Sequence, residues 1–508
     1  MTIAMLRTKP VEDILAQGGD DEGHDLGHLR KRLGVVDLIG FGIGIVIGAG
    51  IFTLTGVQAK EHAGPAIVLS FALAGVASFL AALCYAELAS SVPTAGSAYT
   101  YAYATMGEIF AWIVGWDLVL EFALGAASVA RAWSGYLANL FGLPTSLFGE
   151  EGSVVNIGAI AIVVVLGAVA YAGVKQSARV ANLLVLVKVS ICVFIIVAGL
   201  FFVKASNLTP WLPPSQPIHG GGGSQQTLAQ ALFGLQPAAF GVAGVFTAMA
   251  VVFFSFTGFE AVANMSEETR RPQRDLPLGL LGTLGISLVL YVGVSFVLTG
   301  MIDYRKISND AAIANAFRSV GAGWAAYLVD IAAVAGLTTV ILVDLIAMGR
   351  IGYAMSRDGL LPGGQTAIHP KFGTPYRITA VLTVVVALLA GFVSLADLAN
   401  LVSIGTLFAF VLVSIAVPIL RRTRPDVPRA FTVPFSPVVP ALSALACLYL
   451  MANLTLATWL RFAVWLVIGL VVYGTYGSRQ ARLAQRGRTR GAAQRTVDLR
   501  TQTDRARR

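Results

Sequence analysis

The sequence predicts an all-α membrane protein with about twelve transmembrane helices, and three observations predict it. Of 508 residues, 56% are hydrophobic and only 12% charged, about half the charged share of a soluble chain. Mean hydropathy is +0.75, and the apolar residues come in long blocks rather than amphipathic stripes. The net charge of +9 is concentrated in short connections and at the C-terminal end. That is the distribution expected of cytoplasmic loops under the positive-inside rule, not of a nucleic-acid-binding surface.

Residues 1–33 form a polar tail with no apolar core of signal-peptide type, and its basic run Arg30-Lys31-Arg32 is expected to keep it in the cytoplasm. At ~20 residues per crossing, the apolar blocks place spans at Gly34–Gln58, Ala66–Ser90, Met106–Leu140, Val154–Gly173, Val180–Lys204 and Val242–Ala263. Six more follow at Pro277–Met301, Trp324–Tyr353, Ile378–Leu395, Leu398–Leu420, Phe435–Leu454 and Leu460–Gly477. With the N-terminus inside, Lys175, Arg270, Arg271, Arg274, Lys371, Arg377, Arg421, Arg422 and the Arg-rich tail fall on the cytoplasmic side. Both termini are therefore expected inside a cell membrane, plasma or inner. The stretch Pro210–Gln226 (PWLPPSQPIHGGGGSQQ) reads as an exposed external loop or flexible linker. Cys84, Cys192 and Cys447 lie within apolar spans as small hydrophobes, and no metal framework is implied.

Two spans break the pattern. Gly42, Gly44, Gly48 and Gly50 crowd the middle of the first, and Ser255, Thr257 and Gly258 interrupt the sixth. Irregular backbone is tolerated at membrane depth only around a buried cavity. A matched pair of such interruptions in two halves of a chain points to the central site of a secondary transporter. Unwinding at Gly48-Ala49-Gly50-Ile51 would aim successive N–H groups into the cavity at the positive end of a half-helix, a cradle for a carboxylate. Close helix packing is the alternative for those small residues. Unwinding at Phe253–Gly258 would free carbonyls for an ammonium group and leave a Phe to cover the bound molecule. Together the two ends suit a zwitterion, an amino acid.

Intramembrane ionisable residues are Asp117, Glu121, Lys188, Glu260 and Asp344, and each needs a partner or a cavity. Asp117 and Glu121 share one face of the third span. Lys188 either snorkels to the interface or takes up and releases a proton in each cycle. A fixed positive charge there could also stand where other transporters bind sodium. Asp344 has Arg350 as a distant possible partner and no assigned role.

A channel would need a filter or pore-lining charge rings, and a metalloenzyme a motif such as H-E-x-x-H; neither is present. A sensor that binds amino acids without moving them remains a third class. No cofactor is called for beyond the proton as coupling ion. The expected partners are an amino-acid substrate and the lipid bilayer, with no nucleic acid. No stretch specifies a homo-oligomer or a small membrane subunit.

Several stretches resemble the cationic amino-acid transporter family of the amino acid–polyamine–organocation superfamily. They are GAGIFTLTG (48–56), YAELASSVPTAGSAYTY (85–101), GWDLVLEFALGAASVARAWSGY (115–136), GFEAVANMSEETRRPQRDLPLG (258–279) and GRIGYAMSRDGLLP (349–362). The resemblance implies a leucine-transporter-type inverted repeat of five plus five helices with two extra helices. It divides the chain into repeats at 34–204 and 242–420, joined by the external Gly/Pro-rich loop 205–241. Additional helices at 421–477 and a basic cytoplasmic tail at 478–508 follow. It also implies alternating access, proton coupling in bacterial members, and exchange as the alternative to symport. On the matching positions, Gly48, Ala49, Gly50 and Ile51 would hold the substrate carboxylate. Carbonyls of Val46, Ile47 and those near Phe254 and Ser255 would take the ammonium, with Thr257 beside them and Phe254 as gate. Gly125 and Leu337 would line the side-chain pocket, though Leu337 suits no guanidinium, whereas Glu121 favours a cation. Lys188, Glu121 and Glu260 would couple the proton. Glu260 departs from the Asp often found at its position.

Overall fold

The structure, a computed structural model, describes residues 33–92, 97–150, 153–173, 178–218, 223–361, 369, 372 and 374–477. The readings made for the two tails lie outside these residues. Among them, eight helices are long and apolar enough to cross a membrane, and four shorter apolar helices accompany them. Taken in order, they account for each of the twelve expected spans.

The first span is α1 (Val35–Val46), followed after a break by a π-helical turn (Gly50–Leu54), α2 (Thr55–Gln58) and a second π turn (Ala59–Ala63). The rest of the first half comprises α3 (Ile67–Ser91), α4 (Ser97–Thr105), α5 (Glu108–Phe141), α6 (Thr145–Phe148), α7 (Ile157–Tyr171) and α8 (Ala178–Leu200). In the second half, α10 (Gly241–Val252) gives way to 3-10 turns at Phe253–Phe256 and Phe259–Glu268. Then come α11 (Pro272–Met301), α12 (Ala312–Ser319), α13 (Gly323–Arg357), α14 (Tyr376–Phe392) and α15 (Leu395–Thr423), with α16 (Val438–Ala452) and α17 (Leu456–Val472) closing the chain. The seventh span starts five residues before its expected first residue because Pro272 occupies the first turn, where its missing N–H costs no hydrogen bond. The short helices α4 and α12, of nine and eight residues, carry no span-length signal.

Besides that of α15 with α16 and with α5, extensive packing joins α5 to α13, α3 to α11 and α7 to α14. These are the third and eighth, second and seventh, and fourth and ninth spans, so partners stand five places apart. Such pairing is what two five-helix units facing each other across a pseudo-two-fold axis produce. Span six meets span one where the two chains are broken.

At one end of these two spans, the Leu33 N–H donates to the Glu268 carbonyl (3.0 Å) and the Arg270 N–H to the Leu33 carbonyl (3.0 Å). The start of α1 is thereby joined to the end of the sixth span. Elsewhere a buried carboxylate does the joining. Glu87 on α3 accepts from Arg421 Nε (2.7 Å) and Nη2 (2.6 Å) on α15, and from the Val433 N–H (2.7 Å) ahead of α16. On α5, Arg131 pairs with Glu150, and its guanidinium also donates to the Val393 carbonyl (2.8 Å).

The connection after α8 is more than a linker. Its described part forms a small antiparallel pair, β1 (Gln216–Pro217) with β2 (Ala238–Ala239), and a short helix, α9 (Leu228–Phe233). Thr227 and Gln230 make a reciprocal capping box on α9. The Leu228 N–H donates to the Leu454 carbonyl and the Leu456 N–H to the Gln226 carbonyl, which docks the loop on the turn between α16 and α17. The backbone bonds that tie its described residues down are long-range and leave no local sequence signal.

Candidate functional site

The break in the first span is a change of direction rather than a melted stretch. Ile47 is extended (φ −76°, ψ 95°), so α1 ends, and helical structure resumes about three residues later. Four N–H groups at a new helix start have no intrahelical acceptor. Those of Gly48, Ala49, Gly50 and Ile51 donate to no other described residue. The carbonyls released nearby are largely claimed by side chains. Gly44 O accepts from Lys188 Nζ (2.5 Å), Val46 O from Tyr291 Oη (2.7 Å) and Phe52 O from Tyr136 Oη (2.7 Å). Thr55 Oγ1 donates back to Ile51 O (2.9 Å). Acceptors at membrane depth thus find donors, while the run of N–H donors stays open.

The sixth span breaks differently. α10 tightens into a 3-10 turn at Phe253–Phe256, Thr257 is extended, and Gly258 is left-handed at φ 96°, a conformation favoured for glycine. Glu260 closes this turn, both carboxylate oxygens accepting from the Gly258 N–H at 3.0 Å. The Phe254 carbonyl, expected to face an ammonium group, instead accepts from Thr257 Oγ1 (2.8 Å) and the Thr257 N–H (3.2 Å). Ser255 Oγ is buried with no hydrogen-bond partner. The two breaks touch: a Cβ on Gly50 would stand 2.1 Å from Ser255 Oγ and 2.6 Å from Ser255 Cα.

Around this contact lies a cavity. Of the positions expected from the sequence, it is lined by Val46, Gly48, Ala49, Gly50, Glu121, Gly125, Phe254, Ser255 and Thr257. Ile47 and Ile51 are fully buried behind that wall. Leu337 is also fully buried off the wall; the eighth-span residues at the cavity are Val340 and Asp344. Leu337, Val340 and Asp344 form one helical stripe, so the expected face is present but reaches the cavity a turn later. Phe122 and Val129 join Gly125 on the third span, and Val402 comes from α15. Helical spacing from Glu121 and Gly125 could have found Phe122 and Val129. Nothing in the sequence singled out Val402.

The ionisable residues take distinct places. Lys188 is fully buried; its stem crosses Gly336 and its Nζ reaches the first span rather than an interface. Glu260 lies beside Glu121, turned to its own backbone. Asp117 is buried against Gly405 with neither oxygen bonded, away from the cavity wall. Asp344, left without a role by the sequence, faces the cavity, whereas Arg350 is exposed. Among the described residues, no group of His, Cys, Asp or Glu is arranged to hold a metal ion.

The comparisons with known proteins agree with this architecture. The family model for amino acid permeases matches residues 33–473. The methylthioribose transporter of Bacillus subtilis (strain 168) is 41% identical over 489 residues, covering 94% of this chain and 99% of that protein. The branched-chain amino acid permease BcaP of the same organism is 41% identical over 494 residues, covering 95% and 99%. The vacuolar cationic amino acid transporter 4 of Arabidopsis thaliana is 40% identical over 406 residues, covering 78% of this chain and 64% of that one. With two broken spans meeting at a buried cavity inside a bundle of apolar helices, this chain belongs to the amino acid permease family and is a multi-span membrane transport protein, not an enzyme.

Proposed function

We propose that this permease is a secondary active transporter that carries a cationic or small neutral amino acid together with a proton by alternating access. The reading places it in a cell membrane with both termini on the cytoplasmic side. The observation that carries it is the pairing of the open N–H donors of Gly48, Ala49 and Gly50 with the unbonded Ser255 hydroxyl on the wall of one cavity. The N–H run, at the positive end of a half-helix, suits the substrate carboxylate. Glu121 and the backbone beside Ser255 suit its ammonium group.

Coupling is assigned to Lys188. Its Nζ holds the Gly44 carbonyl of α1 at 2.5 Å, two residues before the helix ends. An ammonium-to-carbonyl bond is about twice as strong as a neutral one, so protonation tightens the tie between α8 and α1 and deprotonation loosens it. Substrate and proton then act on the same short segment. Glu121 on the cavity wall and Glu260 beside it give a proton further places to rest.

Proteoliposomes test this directly. A pH-sensitive dye inside should report acidification on addition of substrate, and Lys188→Ala should abolish it. Uptake that requires sodium and ignores pH would remove the proton claim. Transport only when substrate is present on both sides would favour exchange. Relatives named for methylthioribose, branched-chain and cationic amino acids support a small polar substrate without choosing among these.

A further inference from the structure

We propose that Asp344 is the residue that reads the substrate's side chain, its carboxyl receiving a cationic group at the side-chain end. This rests on the reading that the cavity holds an amino acid by its carboxylate, and adds which amino acid it prefers.

Asp344 is only 6% exposed and lines the cavity. Its carboxyl makes no hydrogen bond or ion pair to any described residue. A carboxylate so placed is costly unless a partner arrives. No lysine, arginine or histidine is among the residues lining the cavity. Lys188 acts on Asp344 electrostatically, but its Nζ is bonded to the Gly44 carbonyl and makes no ion pair with the carboxylate. The other cavity carboxylate, Glu121, already has Glu260 and Thr406 beside it. Asp344 is the acid left over.

Position supports the same conclusion. A Cβ on Gly48, in the carboxylate cradle, would touch Val129 on α5 and Val340 on α13, at 3.8 and 3.9 Å. One turn further along both helices, Gly125 faces Asp344: a Cβ on Gly125 would stand 3.3 Å from Asp344 Oδ2. Four residues at helical rise put the cradle and Asp344 about 6 Å apart along the axis. That is the reach of an extended four-carbon stem ending in an ammonium group. Gly125, lacking a side chain, leaves the approach open, and Phe122, Val129 and Val340 offer apolar cover for the stem.

The test uses pairs of ligands that differ in charge at the side-chain end: arginine with citrulline, and lysine with norleucine. Affinities come from the concentration dependence of thermal stabilisation of the purified full-length protein. For a charge-assisted contact, wild type should favour the cationic member of each pair about 10- to 100-fold. Asp344→Asn should bring the ratio close to one, and Asp344→Glu should keep the preference. Equal wild-type affinities within a pair, or an undiminished ratio in Asp344→Asn, would overturn the proposal while leaving amino-acid binding intact. Should Asp344→Asn fail to fold, the wild-type ratio and loss of preference in Asp344→Glu decide against it just as clearly. Binding of no amino acid at all would instead remove the underlying reading.

Discussion

Replacing Gly50 with alanine adds one methyl at the point where the two broken spans touch. An ideal Cβ there lies 2.1 Å from Ser255 Oγ, 2.5 Å from its Cβ and 2.6 Å from its Cα. The hydroxyl can rotate away, but the two carbons cannot, and carbon atoms pack comfortably only at about 3.5–4.0 Å. One span must therefore back off by about 1 Å, at a cost of about 1–3 kcal/mol for overpacking a tight core. That corresponds to roughly 5- to 150-fold in an equilibrium constant. Thermal unfolding in detergent, with and without substrate, reads the effect. Gly50→Ala should lower both the melting point and substrate affinity. Ser255→Gly in the same chain should restore only part of each, because the clash with the backbone at position 255 persists. Two controls separate steric from site effects. Gly285→Ala on α11 meets nothing within 4 Å and should melt like wild type or slightly above it. Gly48→Ala, whose nearest neighbours are at 3.8 Å, should melt normally but bind substrate more weakly, since its methyl enters the cavity. If Gly50→Ala melts and binds as wild type does, the two breaks are not as tightly apposed as described.

Two further substitutions probe what keeps broken backbone tolerable. Tyr291→Phe leaves the Val46 carbonyl without its donor and should cost about 1–3 kcal/mol of stability, the penalty for an unsatisfied buried acceptor; no change in melting would mean another donor takes its place. Glu87→Ala strands Arg421 and Arg429 beside a buried site and removes the acceptor for the Val433 N–H. Breaking one side of such a pair costs about 3–5 kcal/mol, so detergent-stable protein should fall sharply, and a monodisperse, normally melting variant would refute that role.

Much of this was legible because membrane depth allows so few solutions. Apolar block length alone located the spans, and the density of glycine and hydroxyl residues marked both breaks. Glu121 and Gly125 were found through the third-span string, and their helical neighbours Phe122 and Val129 follow from geometry. What stayed hidden was phase and partner choice. Leu337 and Asp344 lie on one stripe, but nothing local says at which turn a helix meets the cavity. The Phe254 carbonyl was expected to be open, yet Thr257, three residues on, bends back to it, a competition between local and ligand hydrogen bonds that composition does not decide. Likewise, that Lys188 reaches Gly44 depends on how α8 leans on α1, a packing relation across 144 residues.

The two backbone bonds between Leu33 and the 268–270 stretch have a mechanical consequence. They stitch together the outer ends of two half-spans, Val35–Val46 and Phe259–Glu268, that also pack against each other, while the Gly50–Ser255 contact lies beyond the two breaks. Tied at the outer ends and packed together, the two half-spans form one unit that ends at the breaks near Ile47 and at Thr257-Gly258. In the proposed transport cycle the two would then move as a single leaf on those two hinges, so that a contact made on either half would be felt by both.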